Sequence, residues 1–218
     1  RDNAIQELLQ KNNVQFKTYK DQVIFEKDEV VKDDGKPYTV YTPYSKKWRT
    51  TLTDFYIKPY PCKKYFKNFY KYSSTKIPSL SSMGFDKKEQ EIPSNNPSDE
   101  RIKDYNKTRN FPGLEKGTSR LGIHLRFGTV SIRGEVVKAK KLNDTFLNEL
   151  IWREFYMSIL WHFPHVGNHK AFKPAYDNIR WRNNEDEFQK WCHGQTGYPI
   201  VDAGMRQLNE TGYMHNRV

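Results

Sequence analysis

The sequence predicts a mainly α-helical protein in which an all-α domain follows the tail of an α/β domain and a long linker. Three changes of pattern along the chain support this prediction. Residues 1–52 alternate a helical segment with short apolar runs, as α/β domains do. Residues 53–98 carry five prolines and a serine cluster, which is typical of a linker. Residues 99–218 show helical spacing without β alternation.

The first 52 residues contain one predicted helix and two predicted strands. Apolar residues at helical spacing place a helix over residues 4–12. The short apolar runs at 14–16 and 23–25 predict strands. Residues 35–48, with the sequence GKPYTVYTPYSKKW, are expected to form an ordered loop that leads into a helix.

The linker contains a run in which lysines alternate with aromatic residues, and this run has two interpretations. One is a nucleic-acid patch, and the other is a solvated helix whose aromatic face is packed. The pattern of residues does not decide between them. The residues are Lys63, Lys64, Lys67 and Lys71, interleaved with Tyr65, Phe66, Phe69 and Tyr70.

Charge and composition indicate a folded protein with an anionic partner. The 218 residues include 37 Lys plus Arg against 26 Asp plus Glu, a net charge of +11, and 15% are aromatic. Disordered chains are poor in aromatic residues, so this class is excluded. A basic surface favours nucleic acid first and an anionic membrane second. No apolar run approaches the ~18–20 residues of a membrane span, and no membrane partner is expected.

The two cysteines indicate neither a disulfide framework nor a zinc site. Cys62 and Cys192 lie far apart and in no CxxC pattern, and no signal peptide is visible. We therefore predict no metal and a reducing, cytoplasmic location.

Helical spacing predicts six helices in the second half of the chain, separated by Gly, Pro and Asn signals. Their predicted ranges are 99–108, 119–126, 131–141, 144–161, 184–192 and 199–210.

Three segments in this half contain candidate site residues. The first, GTSRLG at 117–122, offers Thr118 or Ser119 as a helix cap. A phosphate would suit the N–H groups of such a helix end, with Arg120 beside it as a charged donor. The alternative is an ordinary cap with no ligand.

The second segment is the helix LNELIWREFY at 147–156. Its spacing places Glu149, Trp152, Arg153 and Tyr156 on one face, where a carboxylate and an indole can bind and stack a planar base. We expect this face to line a concavity. The alternative is an i,i+4 ion pair of Glu149 with Arg153 beside a half-buried Trp152. The opposite side, expected in the core, consists of Leu147, Leu150, Ile151 and Phe155.

The third segment is TGYPIVDAGMRQLNETGYMHNRV at 196–218. Pro199 starts a helix, Thr211-Gly212 ends it, and the following motif presents His215, Asn216 and Arg217 together.

In this order, the three segments resemble the flavin-binding helical domain of class I members of the DNA photolyase/cryptochrome family. The YTVYTPYSKKW segment resembles the end of that family's Rossmann-like N-terminal α/β domain. The resemblance implies division into an antenna-binding domain remnant (1–52), an interdomain linker (53–98) and the first part of an FAD-binding domain (99–218). It also implies an internal fragment that is incomplete at its C-terminus.

The resemblance further implies FAD as the cofactor. Gly122 stands in place of a more usual serine and lacks its hydroxyl, and Phe146 keeps an aromatic wall but lacks the N–H of the Trp that many members have. The positions matching FAD contacts are Tyr105, Thr118, Ser119, Arg120, Leu121, Gly122, Phe146, Arg153 and Asn216. A folate or deazaflavin antenna is common in the family, with its site largely in the N-terminal domain.

The same resemblance assigns residues to the lesion and to DNA. Glu149 and Trp152 match residues that hydrogen-bond and stack the flipped pyrimidine dimer, with Asn216 at the same pocket. Trp181 matches the surface end of a tryptophan electron-transfer chain. The positions expected to contact DNA are Arg109, Glu149, Trp152, Arg153, Tyr156, Asn216 and Arg217.

The implied function is light-driven repair of cyclobutane pyrimidine dimers in damaged duplex DNA by electron transfer from reduced FAD. The alternatives are a cryptochrome-type photoreceptor, a (6-4) photolyase, and a non-enzymatic basic helical DNA-binding module. We expect the fragment itself to be inactive and to hold no ordered FAD. No obligate protein partner is expected, but uncovered apolar surface around Ile151, Phe155 and Met214 is expected to favour oligomers.

Overall fold

A computed structural model describes residues 1–87, 89 and 91–218, and within them the chain is helical without any β-strand. The α-helices are α1 (Asp2–Lys11), α2 (Tyr41–Thr51), α3 (Asp54–Ile57), α4 (Asp99–Lys103), α5 (Tyr105–Thr108), α6 (Gly122–Phe127), α7 (Ile132–Leu142), α8 (Asp144–His162), α9 (Glu185–Cys192) and α10 (Pro199–Thr211). Short 3-10 helices span Cys62–Asn68, Ser81–Met83, Pro164–Asn168 and Pro174–Asn178.

The mainly α-helical fold class is confirmed, and helices lie in all six ranges predicted for the second half. The first range divides at Asp104 into α4 and α5, because Asp104 leaves the helical conformation with ψ near 4°. Polar side chains cap four of the described α-helices. The capping side chains are Ser98 for α4, Ser131 for α7, Asn143 for α8 and Asn184 for α9.

The two predicted strands at residues 14–16 and 23–25 are wrong. A strand requires a neighbouring strand to accept and donate its backbone hydrogen bonds, and the described chain offers none. The N–H groups of Ile24 and Phe25 instead donate to the carboxylate of Glu154, at 2.7 and 3.0 Å. The loop predicted over residues 35–48 is wrong beyond Val40, because the helix expected after it, α2, already begins at Tyr41.

One hydrophobic core joins the first part of the chain to helices α4–α8. Helix α8 lies at its centre and packs on α2 and α7. The division at residue 52 and the other domain boundaries stay predictions, although Trp48 and Ile57 on either side of that boundary share this core. Its buried members are Ile24, Phe25, Val30, Tyr44, Trp48, Ile57, Ile102, Tyr105, Leu121, Ile132, Val136, Ala139, Phe146, Leu147, Leu150, Ile151 and Phe155.

The surface around Ile151 and Phe155, which was expected to be uncovered, is buried. Ile151 and Phe155 are 0% and 5% exposed, because α2 and the preceding segment cover this side of the helix. Phe155 contacts the rings of Tyr41 and Tyr44 there. Met214 is half-buried.

The lysine and aromatic run does not form the packed α-helix of its second interpretation. Residues Cys62–Asn68 form a 3-10 helix with no buried member. Most of residues 58–92 is exposed, apart from the two positions outside the described residues.

No described helix is both long and apolar enough to cross a membrane. The described residues also contain no group of three or more His, Cys, Asp and Glu side chains that could hold a metal ion.

Candidate functional site: the outer face of helix α8 and the segment before helix α6

Helix α8 positions Glu149 and Trp152 at the edge of the core. Asn143 caps the helix by accepting from the N–H of Phe146 at 3.1 Å. Leu147, Leu150, Ile151 and Phe155 are buried, as predicted from their spacing. The helical period then places Glu149 and Trp152 half-buried beside the core, and Tyr156 is 59% exposed.

Glu149 forms its ion pair with Arg109, which lies at the end of α5. The guanidinium Nη1 donates to Oε1 at 2.5 Å, and both side chains are largely shielded from solvent. Arg109 also lies over the ring of Tyr105, 5.5 Å from its centroid. The alternative of an i,i+4 pair between Glu149 and Arg153 is therefore wrong, because Arg109 reaches the carboxylate from another segment.

Trp152 lies in a cluster of aromatic rings that the sequence did not indicate. Tyr41 of α2 stacks on the indole with a centroid distance of 3.4 Å and an interplanar angle of 5°. The hydroxyl of Tyr41 donates to Oδ1 of Asn148 at 2.5 Å, which fixes the ring to α8. Tyr156 stacks on Trp152 at 5.5 Å. The indole plane is thus set by two neighbouring tyrosines.

Arg153 does not join Glu149. Its guanidinium donates to the carbonyl oxygens of Gln22 at 2.6 Å and Leu125 at 3.2 Å. It therefore connects α8 to the N-terminal segment and to α6. The expectation that Glu149, Trp152, Arg153 and Tyr156 line a concavity is not met by the two cavities described, because other residues line both of them.

The segment before α6, residues 117–121, is an irregular loop. The predicted cap at Thr118 or Ser119 is wrong, since α6 begins after Leu121 with no side-chain cap. The Thr118 hydroxyl instead lies 3.0 Å from the hydroxyl of Tyr213. Arg120 adopts a left-handed φ of 52°, with its guanidinium 4.5 Å from the Tyr213 ring centroid.

The residues of this segment fit a bound phosphate-containing group. The Nε of Arg120 is buried and has no hydrogen-bond partner, so one charged donor is left for a ligand. A Cβ at Gly122 would meet no atom within 4 Å, which shows open space beside the segment. Leu121 is buried and anchors the loop in the core.

Tyr105 and Phe146 pack against each other in the core. Their rings meet edge to face, 5.3 Å apart at 67°. Burial raises the pKa of Tyr105 to about 12, so its hydroxyl remains a donor at neutral pH. The described contacts place Phe146 in the core itself, at 3% exposure.

The motif after α10 reaches the same region through Arg217. Its Nε donates to Oδ1 of Asn110 at 2.9 Å, next to Arg109 in the chain. His215 is buried, and its Nδ1 accepts from the N–H of Arg217 at 3.0 Å. Asn216 is exposed. Trp181 is 72% exposed and lies before α9.

Two family models match separate parts of the chain. The model for the FAD binding domain of DNA photolyase matches residues 146–218, and the model for DNA photolyase matches residues 1–64. The chain belongs to the DNA photolyase family. FAD is the cofactor of the matched helical domain, and the unpartnered Arg120 donor agrees with it.

Curated relatives from bacteria and fungi share the name deoxyribodipyrimidine photo-lyase. The Alkalihalophilus pseudofirmus protein is 32% identical over 240 aligned residues, which take in 100% of this chain and 49% of the relative. The Synechococcus protein is 32% identical over 255 aligned residues, which take in 100% of this chain and 50% of the relative. The Neurospora crassa protein is 43% identical over 132 residues, 55% of this chain and 21% of the relative. The chain thus spans about half the length of the relatives that match it throughout.

This photolyase-family chain also contains a buried carboxylate that sequence reasoning missed. Glu154 is 2% exposed and accepts three hydrogen bonds. Its donors are the N–H groups of Ile24 and Phe25 and the indole Nε1 of Trp48, the last at 2.6 Å. A signal was present in the sequence, because Glu154 follows Leu147 and Leu150 at helical spacing on the apolar face.

Glu154 also makes stability depend on pH. Burial raises the pKa of its carboxyl to about 7, against the lowering effect of the three donors. The folded state therefore holds this proton more tightly than the unfolded state. We expect the free energy of unfolding to fall as pH rises from about 5 through 7, by at most about 1.4 kcal/mol per pH unit. Denaturant melts across this range measure the slope. The same slope in Glu154→Gln would contradict the assignment to this carboxyl.

Proposed function

We propose that the whole protein is a light-driven DNA repair enzyme that splits cyclobutane pyrimidine dimers, a deoxyribodipyrimidine photo-lyase with FAD as cofactor. The shared name of the relatives supports this reaction. Damaged duplex DNA is its substrate and partner, and the net charge of +11 favours binding to DNA phosphates. A cytoplasmic location fits the two unpaired cysteines.

The observation that carries the proposal is the pair of Glu149 and Trp152 on the outer face of α8. A carboxylate beside a half-buried indole combines a hydrogen-bond acceptor with an aromatic ring, and a base that stacks on this ring takes the place of its exposed neighbour Tyr156. A base taken out of the DNA stack requires both features. Arg109 lies 2.5 Å from the carboxylate and shields it until a ligand replaces or joins the ion pair.

The residues of the chain have separate roles in this proposal. Glu149 accepts hydrogen bonds from the flipped pyrimidines, and Trp152 stacks on them, with Tyr156 at the rim and Asn216 at the same pocket. Arg109 and Arg217 lie on the DNA side, where their charges offset those of the phosphates. Thr118, Ser119, Arg120, Leu121 and Gly122 hold the phosphates of FAD, with Tyr105, Phe146, Arg153 and Asn216 as further contacts.

When bound in its reduced form, FAD supplies the electron that, after light absorption, opens the cyclobutane ring. The protein contributes position and electrostatics to that chemistry. Trp181, exposed at the surface, is the outer member of the chain that delivers electrons from outside. A folate or deazaflavin antenna would bind largely in the N-terminal α/β domain of the family.

The test is light-dependent loss of cyclobutane dimers from DNA by the whole protein. The wild type is expected to repair dimers in light and not in darkness. Glu149→Gln is expected to lower repair about tenfold, the scale of one charged hydrogen bond. Glu115→Gln is the control, because Glu115 is exposed and lies outside α8 in the chain. Repair of (6-4) lesions alone would favour that alternative, and light-independent DNA binding without repair would favour a binding module.

A further inference from the structure

The linker contains a basic, aromatic surface that the repair reaction does not use. We call residues 58–76 the basic-aromatic segment. No acidic residue occurs between Asp54 and Asp86, and the segment lies within that interval. None of its lysines forms an ion pair with a described residue. Its six lysines are Lys58, Lys63, Lys64, Lys67, Lys71 and Lys76.

The aromatic rings of the basic-aromatic segment are exposed rather than packed. Their exposed fractions lie between 53% and 86%. Some of them pair with each other, as Phe66 does with Phe69 at 5.3 Å and Tyr70 with Tyr72 at 6.2 Å. The six rings are Tyr60, Tyr65, Phe66, Phe69, Tyr70 and Tyr72.

The segment is fixed to the fold at its start. Ile57, directly before it, is buried in the core. The ring of Tyr60 lies under the guanidinium of Arg133 on α7, 4.7 Å away. The lysines and the remaining rings are therefore presented from a defined place on the molecule.

A surface that combines unpaired lysines with exposed flat rings suits a flexible polyanion with exposed bases. Lysines attract the phosphates, and aromatic rings stack on bases without sequence preference. An anionic membrane fits less well, because apolar insertion relies on aliphatic and aromatic residues on one face of a helix. Residues 58–76 contain no Leu, Ile, Val, Met or Trp, and their only helix is a short 3-10 turn.

We propose that the basic-aromatic segment binds single-stranded DNA at a site separate from Glu149 and Trp152. The site binds undamaged single-stranded DNA and requires neither light nor a cofactor. It does not rest on the proposed repair function.

The charge requirement is tested by fluorescence anisotropy of a labelled oligothymidylate titrated with the 218-residue chain. Replacing four lysines (Lys63, Lys64, Lys67 and Lys71) with glutamine is expected to weaken binding more than tenfold at low salt. The slope of log affinity against log salt should become shallower by about 3, from four lost phosphate contacts. The matched control replaces the exposed lysines Lys11, Lys46, Lys170 and Lys190 with glutamine. Equal losses in the two variants would overturn the site.

The stacking requirement is tested by replacing Tyr65, Phe66, Phe69 and Tyr70 with leucine. Leucine preserves apolar surface but cannot stack, so oligothymidylate affinity is expected to fall by about tenfold or more. Thermal melting should be unchanged, because the rings are exposed. The parallel arm uses vesicles of phosphatidylcholine with phosphatidylserine. Unchanged DNA affinity in the leucine variant, or tighter binding to vesicles than to oligothymidylate, would overturn the proposal.

Failure of this proposal is distinguishable from failure of the repair function. The oligothymidylate titration uses neither light nor dimer-containing DNA, so its outcome does not depend on whether the whole protein repairs dimers. If the whole protein repairs dimers but the four-lysine variant binds oligothymidylate as tightly as the control variant does, only the proposed single-stranded DNA site is contradicted.

Discussion

Glu154→Ala is expected to lower the free energy of unfolding by about 3 kcal/mol or more. The substitution leaves three buried donors without an acceptor, and each such group costs about 1–3 kcal/mol. Two of them are the backbone N–H groups of Ile24 and Phe25, which cannot turn to another partner. The third is the Trp48 indole, which is 1% exposed. Chemical denaturation of the 218-residue chain at pH 6 measures the effect.

Two further variants separate the hydrogen bonds from the charge. Glu154→Gln retains one acceptor oxygen and should lose about 1–2 kcal/mol, less than alanine. Glu115→Ala, at an exposed position, should stay within about 0.5 kcal/mol of the wild type. A Glu154→Ala protein as stable as the Glu115→Ala protein would show that water satisfies the three donors.

Trp152→Ala is expected to weaken binding of dimer-containing DNA to the whole protein by about 1–3 kcal/mol, the range of base–aromatic stacking. Binding to undamaged duplex should change much less, because that binding rests mainly on phosphates. The structure adds a second effect. Removing the indole also removes the ring on which Tyr41 stacks at 3.4 Å, so some stability should be lost as well. Competition binding with damaged and undamaged duplexes measures the difference.

Matched variants decide whether Trp152 stacks on the lesion or only packs within the protein. Trp152→Phe keeps a ring against Tyr41 and should recover most of the preference for damaged DNA. Tyr156→Ala removes the exposed neighbour and should have a smaller effect on that preference. Equal losses of damaged and undamaged binding in Trp152→Ala would assign the indole a structural role.

The helical half of the fold was predictable because its signals are local. Apolar residues at helical spacing and polar caps such as Asn143 and Asn184 lie within the helices they define. The same local logic placed Leu147 and Phe155 in the core. The strands failed because a strand is completed by a neighbour, and the residues at 14–16 and 23–25 have no such neighbour among the described residues.

The partners of the site residues could not be predicted, because they come from distant parts of the chain. Arg109 and Glu149 are 40 residues apart in the sequence, and Tyr41 and Asn148 are 107 residues apart. Helical spacing predicts that Arg153 lies beside Glu149. It contains no information about the carbonyl oxygens of Gln22 and Leu125, which come from two other segments and accept the hydrogen bonds of the Arg153 guanidinium. Likewise, no pattern in the linker shows whether its rings are packed or exposed.

The hydrogen bonds that Glu154 accepts also affect how the amides of Ile24 and Phe25 exchange with deuterium. Irregular backbone outside helices usually exchanges quickly, because small local fluctuations expose its N–H groups. These two amides are held by a side chain in the middle of α8, and the neighbouring Arg153 holds the carbonyl of Gln22. Their release therefore requires α8 to separate from the first part of the chain. We expect both to exchange as slowly as the central amides of α8, so this loop and that helix open as one cooperative unit.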